Sequence, residues 1–235
     1  MCQDCGCGDT NIVPVELHER ILARNDSAAE HNGKHFREHG VLCVNLMGSP
    51  GAGKTAILEA TARFSTHPLR IAAIAGDLAT ENDADRLKAA GIRATSINTG
   101  TACHLDAEVV HRVLHHFDLH DVDYLVIENI GNLVCPAVYD LGQNVNVVAL
   151  SVTEGEDKPL KYPTMFAKAD LVLLTKADLL PHLPHVRVPA IFEALSRVMP
   201  DPRVISMSAV TGLGVDQWLD WLEQKHGSTK EARTA

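Results

Sequence analysis

Aromatic side chains are scarce in this sequence: they make up 4% of its 235 residues, whereas apolar residues as a whole make up 46%. A buried core therefore has to be built from alanine, valine, leucine and isoleucine. No apolar run approaches the roughly 18 residues that a membrane span needs. The first residues carry neither a basic nor an apolar segment, so they predict no signal peptide, and we expect a cytoplasmic protein.

Basic side chains are also in deficit. Lys and Arg total 21 and Asp and Glu total 30, which gives a formal net charge of −9. This negative charge argues against nucleic acids and membrane surfaces as partners, because both are anionic. The chain has 6 cysteines and 13 histidines. Cytoplasmic thiols stay reduced, so the cysteines are expected as metal ligands or core residues, and the many histidines indicate metal handling.

Short, nearly continuous apolar stretches alternate with amphipathic ones from Val41 onward. This pattern is typical of parallel strands covered by helices on both faces. It predicts an α/β fold with a doubly wound, mainly parallel sheet of about seven strands. The expected strands are 41–47, 70–76, 94–98, 123–129, 145–152, 171–175 and 203–207, and the expected helices are 14–33, 54–64, 82–90, 106–117, 187–198 and 214–225.

A phosphate-binding pattern follows the first expected strand. Its sequence, Gly-Ser-Pro-Gly-Ala-Gly-Lys-Thr, fits G-x-x-x-x-G-K-S/T and precedes a helical stretch, which is the context that the pattern requires. Glycines let backbone N–H groups close around a phosphate, Lys54 would reach the β- and γ-phosphates, and the Thr55 hydroxyl would bind Mg²⁺. The expected nucleotide-binding residues here are Gly48, Ser49, Pro50, Gly51, Ala52, Gly53, Lys54 and Thr55.

Two carboxylates are expected beside this loop. Asp77 and Glu128 each end an apolar stretch, and the carboxyl ends of parallel strands meet at one edge of a sheet. Either carboxylate could bind Mg²⁺ or order an attacking water. Together with Lys54 they form the predicted catalytic set.

Residues after a later strand predict a preference for guanine. Thr175, Lys176 and Asp178 match the pattern Asn-Lys-x-Asp except at the first position. An aspartate there accepts hydrogen bonds from N1–H and the 2-amino group of guanine, which adenine cannot supply. Ser208 and Ala209 resemble a second guanine-contacting loop. Threonine has a shorter polar side chain than asparagine, so the sequence leaves open one contact that asparagine would make to the base or the loop.

The N-terminal segment carries a candidate metal site. Cys2, Cys5 and Cys7 place three soft donors within six residues, which suits Ni²⁺, Zn²⁺ or Cu(I) better than Mg²⁺. With a free Cys2 amine they would form a four-donor set suited to square-planar Ni²⁺. The alternative is an oxidisable tail without a metal.

A second candidate site combines Cys103, His104 and Cys135, which are expected in loops near the nucleotide. Three ligands leave a metal incomplete, so two subunits could share it. Either cysteine alone would more often be a small buried residue.

Histidines also fall into two groups, at 18, 31, 35 and 39 and at 111, 115, 116 and 120. Pairs spaced four residues apart on a helix can bind metal. For the second group a solvated helix face is the favoured interpretation, and the first group would be at most a weak nickel store.

Five segments together resemble the hydrogenase nickel-incorporation GTPases of the HypB family, to which the urease GTPase UreG is related. These segments are 1–8, 45–55, 97–107, 127–136 and 154–163, and the resemblance runs to about Trp221. It implies a slow, regulatory GTPase that binds GTP or GDP and helps to load nickel into the large subunit of nickel–iron hydrogenase. It also implies a homodimer promoted by GTP and metal, and a small nickel metallochaperone, HypA, as a partner.

The resemblance further implies two metal sites. Cys2, Cys5 and Cys7 would form a tight nickel site. Cys103, His104 and Cys135 would form a weaker site at the dimer interface, which would bind nickel or zinc. The expected segments are a Cys-rich tail at 1–10, a helix and histidine-containing linker at 11–40, a P-loop GTPase domain at 41–226 and a flexible tail at 227–235.

Two other functions stay open from the sequence. One is a nickel or zinc storage protein with a residual nucleotide site. The other is an ATP-dependent P-loop kinase or synthetase, against which Asp178 argues.

Overall fold

The computed structural model describes residues 12–77, 82–98, 100 and 104–234. Over these ranges the strands are β1 (Leu42–Gly48), β2 (Ile71–Asp77), β3 (Arg93–Asn98), β4 (Tyr124–Glu128), β5 (Val145–Ser151), β6 (Leu171–Thr175) and β7 (Val204–Ser206). The helices are α1 (Ile12–His39), α2 (Lys54–Phe64), α3 (Asn82–Ala89), α4 (Ala107–Leu114), α5 (Lys158–Lys161), α6 (Pro163–Ala167), α7 (Val188–Val198) and α8 (Val215–Thr234). Two 3₁₀ turns lie at Cys135–Ala137 and Ala177–His182.

All seven strands form one sheet in the order β3-β2-β4-β1-β5-β6-β7, and every neighbouring pair is parallel. The predicted doubly wound parallel sheet is confirmed. The strand order reverses at β1, which lies between β4 and β5. Ligands of such sheets bind in the crevice at this reversal, beyond the carboxyl ends of the strands.

Side chains of β1 alternate between two buried layers. Leu42 and Val44 pack with apolar residues of α2, α3 and α8. Cys43 points to the other face and packs with residues of α1 and α4. Met47 lies on that same face and packs with residues of α6 and α7. Because both faces are covered, the strands read as unbroken apolar runs in the sequence.

The first helix is longer than we predicted. Residues 31–39 continue α1, where the sequence predicted a linker or the helix end. Phe36 is fully buried, and the Asn32 side-chain amide donates to the carbonyl oxygens of Ala107 and Leu141 at 2.9 and 3.2 Å. These contacts hold the last turns of α1 on the domain, although most residues of this stretch are polar.

The last helix also extends further than expected. α8 includes residues 227–234, which the sequence predicted as a flexible tail. His226 Nε2 lies 2.9 Å from the carbonyl oxygen of Gly40, and Lys230 Nζ lies 3.7 Å from an Asp123 carboxylate oxygen. The helix therefore continues along the domain instead of ending at 225.

Each expected strand is present, with its ends within one residue of the predicted ones. The two short helices α5 and α6 were not predicted, because four or five residues are too few to show a helical period. In the part of the chain that the structure describes, no helix is long and apolar enough to span a membrane.

Candidate functional site

The predicted phosphate loop connects the carboxyl end of β1 to α2, at the reversal of strand order. Gly51 and Gly53 have φ angles of 74° and 94°, in the region that favours glycine. At Gly48 a Cβ atom would lie 2.5 Å from the carbonyl oxygen of Ala149 on β5. The first N–H groups of α2 have no partner within the helix, so the loop and the helix end form an anion-binding backbone.

Lys54 and Thr55 open α2, and both side chains are buried. Lys54 Nζ donates to the carbonyl oxygens of Gly48 and Ser49, each at 3.3 Å. The ammonium group therefore lies against the loop. Burial lowers the pKa of Lys54, and the charge of Glu128 acts in the opposite direction.

Glu128 ends β4 directly beside β1, and its side chain is 4% exposed. Its Oε1 accepts a hydrogen bond from the Thr55 hydroxyl at 2.8 Å. Its Oε2 is buried without a hydrogen-bond partner among the described residues. Burial raises the pKa of Glu128 to about 7, although the Thr55 hydrogen bond and the Lys54 charge lower it. An oxygen without a partner on such a group is suited to a cation or an ordered water.

A cavity of about 360 Å³ opens over these side chains. Besides the phosphate loop and Glu128, it is lined by Asp83 and Arg86 of α3. Asp83 Oδ1 lies 3.1 Å from the Thr55 hydroxyl oxygen, and Arg86 holds the Glu59 carboxylate at 3.0 and 2.7 Å. Asp83 and Arg86 were not predicted as site residues, because nothing in the sequence separates them from the other charged residues of α3.

Asp77, the other predicted carboxylate, is the last residue of β2. Its side chain lies outside the described part of the chain. Its role therefore stays a prediction.

Thr175 contacts the phosphate loop. Its buried hydroxyl donates to the carbonyl oxygen of Ala52 at 2.6 Å. The shorter side chain at this position thus ties the end of β6 to the loop.

The other residues predicted to contact the base lie in two adjacent loops. Lys176 has a φ of 58°, in the left-handed region, and Asp178 follows it in the 3₁₀ turn. The Ser208 hydroxyl accepts the N–H of Thr211 at 3.1 Å, and the carbonyl oxygen of Ala209 accepts a hydrogen bond from the Arg63 guanidinium. The two loops are joined, since the N–H of Ala177 donates to the carbonyl oxygen of Met207 at 3.0 Å.

Of the predicted transition-metal ligands, the structure describes His104 and Cys135. The ring of His104 stacks on Tyr139 with centroids 3.8 Å apart. Burial lowers the pKa of His104, and the charge of Asp106 raises it. Cys135 is partly buried and begins the 3₁₀ turn that leads toward Tyr139.

The remaining predicted ligands lie outside the described residues; they are Cys2, Cys5, Cys7 and Cys103. Within the described ranges, no group of three His, Cys, Asp or Glu residues is placed so that it could hold a metal ion. Both transition-metal ligand sets therefore stay predictions.

The segment that carries Cys135 is fastened to the phosphate loop. An antiparallel backbone bridge joins Asn132 to Gly48. Gly131 packs so closely on Pro50 that a Cβ atom would lie 2.8 Å from the Pro50 nitrogen. A shift of the phosphate loop would therefore be transmitted to the segment before Cys135.

The segment that carries His104 is joined to the same strands. The Asn129 side-chain oxygen accepts the N–H of Leu105 at 3.4 Å. The Asn129 side-chain nitrogen donates to the Asn45 side chain of β1 at 3.1 Å. Asn129 therefore links the residue after His104 to the strand that leads into the phosphate loop.

Comparison with known proteins gives the family. A model of the nucleotide-binding domain of CobW/HypB/UreG proteins matches residues 42–200. The hydrogenase maturation factor HypB of Azotobacter chroococcum mcd 1 is 47% identical over 219 residues, which cover 93% of this chain and 72% of that protein. The HypB of Escherichia coli K12 is 45% identical over 218 residues, or 93% and 74% of the two chains. This chain belongs to the HypB family.

A solved HypB structure agrees with this assignment. The crystal structure of HypB from Helicobacter pylori in complex with nickel superposes with a TM-score of 0.83 at 38% identity, over 88% of this chain and 97% of that chain. Family membership gives this chain a nucleotide-binding domain and, more generally, a nucleotide-hydrolysing activity.

Proposed function

We propose that this protein is a slow, regulatory GTPase that acts as a nickel metallochaperone and helps to insert nickel into the large subunit of nickel–iron hydrogenase. The names of its relatives, which are hydrogenase maturation factors, and the nickel complex of one of them support this proposal. The observation that carries it is the segment from Glu128 to Cys135. This segment starts at the buried carboxylate of the nucleotide cavity, is bridged to the phosphate loop, and ends at a candidate nickel ligand.

The cavity has the donors that Mg²⁺ prefers. Thr55 supplies a hydroxyl, Glu128 supplies a carboxylate oxygen without a partner, and Asp83 supplies a second carboxylate. These residues, together with Asp77, would hold the ion, which would neutralise phosphate charge when bound.

Hydrolysis would rest on Lys54 and Glu128. Lys54 would exchange its carbonyl partners for phosphate oxygens, because an ammonium binds phosphate more strongly than neutral carbonyls. Glu128 would either bind Mg²⁺ or order the attacking water, since its buried carboxylate lies beside the phosphate loop. A slow rate of GTP hydrolysis would suit a switch, because a switch depends on the change between nucleotide states and not on the number of GTP molecules hydrolysed.

The base specificity would come from Asp178, which is expected to accept the N1–H and 2-amino group of guanine. Thr175, Lys176, Ser208 and Ala209 would support that position through the contacts described above. GTP is therefore expected to displace a bound fluorescent guanine nucleotide far better than ATP does. Equal displacement by the two nucleotides would favour the kinase or synthetase alternative.

Nickel would be the cargo. Cys2, Cys5 and Cys7 would form a tight site, and Cys103, His104 and Cys135 would form a weaker nickel or zinc site shared across a homodimer. Because the Cys135 segment is bridged to the phosphate loop, the nucleotide state would change the affinity of this weaker site by linkage. The transfer partners would be HypA and the hydrogenase large subunit, in the cytoplasm.

Lys54→Ala tests this proposal. In cells that lack the native copy, we expect the variant to fail to restore hydrogenase maturation. In vitro we expect its rate of GTP hydrolysis to be lower by roughly 100-fold or more. Nickel binding without nucleotide should stay intact. In the parent protein the affinity for nickel should differ between the GTP-analogue, GDP and nucleotide-free states, whereas in Lys54→Ala it should not.

Lys88→Ala is the matched control, because Lys88 is exposed on α3 and its ammonium group pairs with the neighbouring Asp85 at 3.2 Å. Normal maturation by Lys54→Ala would contradict the proposal and favour a metal store with a residual nucleotide site. The same nickel affinity in all three nucleotide states of the parent would contradict the coupling alone.

A further inference from the structure

Histidines that are distant in sequence meet in one cleft of about 250 Å³ between α1 and α4. Four ring contacts, with centroids 4.4 to 5.6 Å apart, connect them. The sequence favoured a solvated face for the histidines at 111, 115, 116 and 120, and the last three are exposed; His111 is partly covered by α1. The six histidines that line the cleft, called the histidine cleft below, are His31, His35, His39, His111, His115 and His120.

Hydrogen bonds fix the tautomer of His111. Both N–H groups of the buried Asn32 side-chain amide donate to carbonyl oxygens, at Ala107 and Leu141. The Asn32 side-chain oxygen, 3.0 Å from His111 Nδ1, can therefore only accept, so His111 carries its proton on Nδ1. The lone pair of His111 lies on Nε2. This is the arrangement of metal-binding histidines, whose other ring nitrogen donates to an oxygen.

His115 follows the last residue of α4, one turn beyond His111, and its Nε2–H donates a hydrogen bond to the Nε2 lone pair of His111 at 3.0 Å. Metal–imidazole bonds of about 2.1 Å at an angle near 90° hold two nitrogens about 3.0 Å apart. The two atoms are therefore spaced as neighbouring ligands of one ion, and His115 would bind it once its proton moves from Nε2 to Nδ1, which frees the Nε2 lone pair.

The surroundings favour a cation. α1 ends at His39 and α4 ends at Leu114, and the carbonyl ends of helices attract positive charge. The carboxylate of Asp118 also lines the cleft.

A third imidazole is within reach. The His31 ring lies 4.8 Å from the His111 ring, centroid to centroid, and His31 is exposed and able to rotate. Among the described residues no three donors are yet converged at bonding positions, so rotation of His31 would complete the set.

We propose that the histidine cleft is a binding site for a divalent ion of the nickel, copper and zinc group, held by Nε2 of His111 and His115 with His31 as the third protein ligand. Neutral imidazoles select these ions over Mg²⁺. None of the residues that line the cleft lines the nucleotide cavity, and none of the proposed ligands is a cysteine. The site lies near the end of α4, whose first turn is capped by Asp106, two residues after His104. It goes beyond the proposed function, because it would hold metal in the absence of any thiol.

The test uses the whole 235-residue chain with five of its six cysteines replaced by serine, which leaves only the buried thiol of Cys43 on β1. Titration calorimetry with Ni²⁺ should detect one ion per chain in this background. Replacing the three proposed ligands should weaken that binding roughly ten-fold or more. The replaced cysteines are Cys2, Cys5, Cys7, Cys103 and Cys135, and the ligand variant carries His31→Ala, His111→Ala and His115→Ala.

The matched control removes three histidines outside the cleft, namely His67→Ala, His116→Ala and His185→Ala; all three are exposed. It should bind Ni²⁺ like the background protein. Equal weakening by the control, or no Ni²⁺ binding by the background, would overturn the proposal. Because His111 is bonded to Asn32, a second variant changes only the exposed His31 and His115 and should also lose the site. GTP binding by the ligand and control variants should equal that of the five-serine background, which separates this test from that of the proposed function.

Discussion

The phosphate loop and the histidine cleft are two candidate binding sites built in opposite ways. The loop consists of eight consecutive residues, and its binding groups are mostly backbone N–H groups held by glycine conformations. The cleft is made from side chains of α1, α4 and the turn after α4. The phosphate loop is encoded by a local sequence motif, whereas the histidine cleft exists only because two helices pack together.

The two sites should also differ in their tolerance of substitution. A backbone site fails when one close approach is blocked, because the chain has no other conformation with the same N–H geometry. The histidine cleft contains six imidazoles, which is more than the few coordination positions around one metal ion need. We therefore expect large effects from single changes at the loop and graded effects at the cleft.

Gly48→Ala should have the largest effect. The new Cβ atom would lie 2.5 Å from the carbonyl oxygen of Ala149, so β1 and β5 would have to separate. We expect a loss of roughly 3 kcal/mol or more in unfolding free energy, measured by urea denaturation, together with loss of GTP binding.

Gly51→Ala is the control for this prediction. Gly51 also has a positive φ, but a Cβ atom there would have no neighbour within 4 Å. It should cost only about 1–2 kcal/mol of backbone strain. If both variants were equally stable, the close contact at Gly48 would not be what requires glycine.

Glu128→Gln should have the next largest effect, and the effect should depend on pH. Burial raises the pKa of Glu128 from 4.5 to about 7, so the folded protein keeps a proton that the unfolded chain releases in this window. Stability of the parent therefore falls as pH rises from 4.5 through 7. Glutamine cannot ionise, so at about pH 8 the variant should be more stable by up to about 3 kcal/mol, and the difference should vanish below the unfolded pKa.

Thermal unfolding across this pH range measures the effect, with Glu193→Gln on the exposed side of α7 as the control. A stability difference that is constant with pH would show that Glu128 does not titrate in the folded protein. Nickel binding by the histidine cleft should be the same in both variants, since neither residue lines that cleft.

Thr175→Val should have the smallest effect of the three. It keeps the shape of the side chain but removes the hydrogen bond to the Ala52 carbonyl oxygen. We expect a loss of about 1 kcal/mol in stability and several-fold weaker GTP binding, because the loop loses a tether. Thr175→Ser keeps the hydroxyl and should bind GTP nearly as well as the parent. Similar weakening by serine would indicate that the methyl group, not the hydrogen bond, matters.

Much of the fold was predictable because it rests on local signals. The strands and the phosphate loop follow from apolar periodicity and from glycine spacing, and Lys54, Thr55 and Glu128 lie at one edge of the sheet as expected. The extents of α1 and α8 were not predictable, since their polar ends are held by contacts with distant residues. Asp83 was missed because only packing of α3 brings it to Thr55.

By itself, the sequence determined the parallel sheet, the anion-binding loop at the end of β1 and the HypB resemblance, because each depends on residues that are adjacent or regularly spaced. Only the tertiary structure decided what Thr175 contacts, which carboxylates reach the Thr55 hydroxyl, and that histidines from α1 and α4 share a cleft. Those facts depend on the distance between side chains far apart in the chain. That distance is set by how the helices pack on the sheet. The packing is driven by apolar surfaces, so the polar residues that end up close together share no recognisable pattern in the sequence.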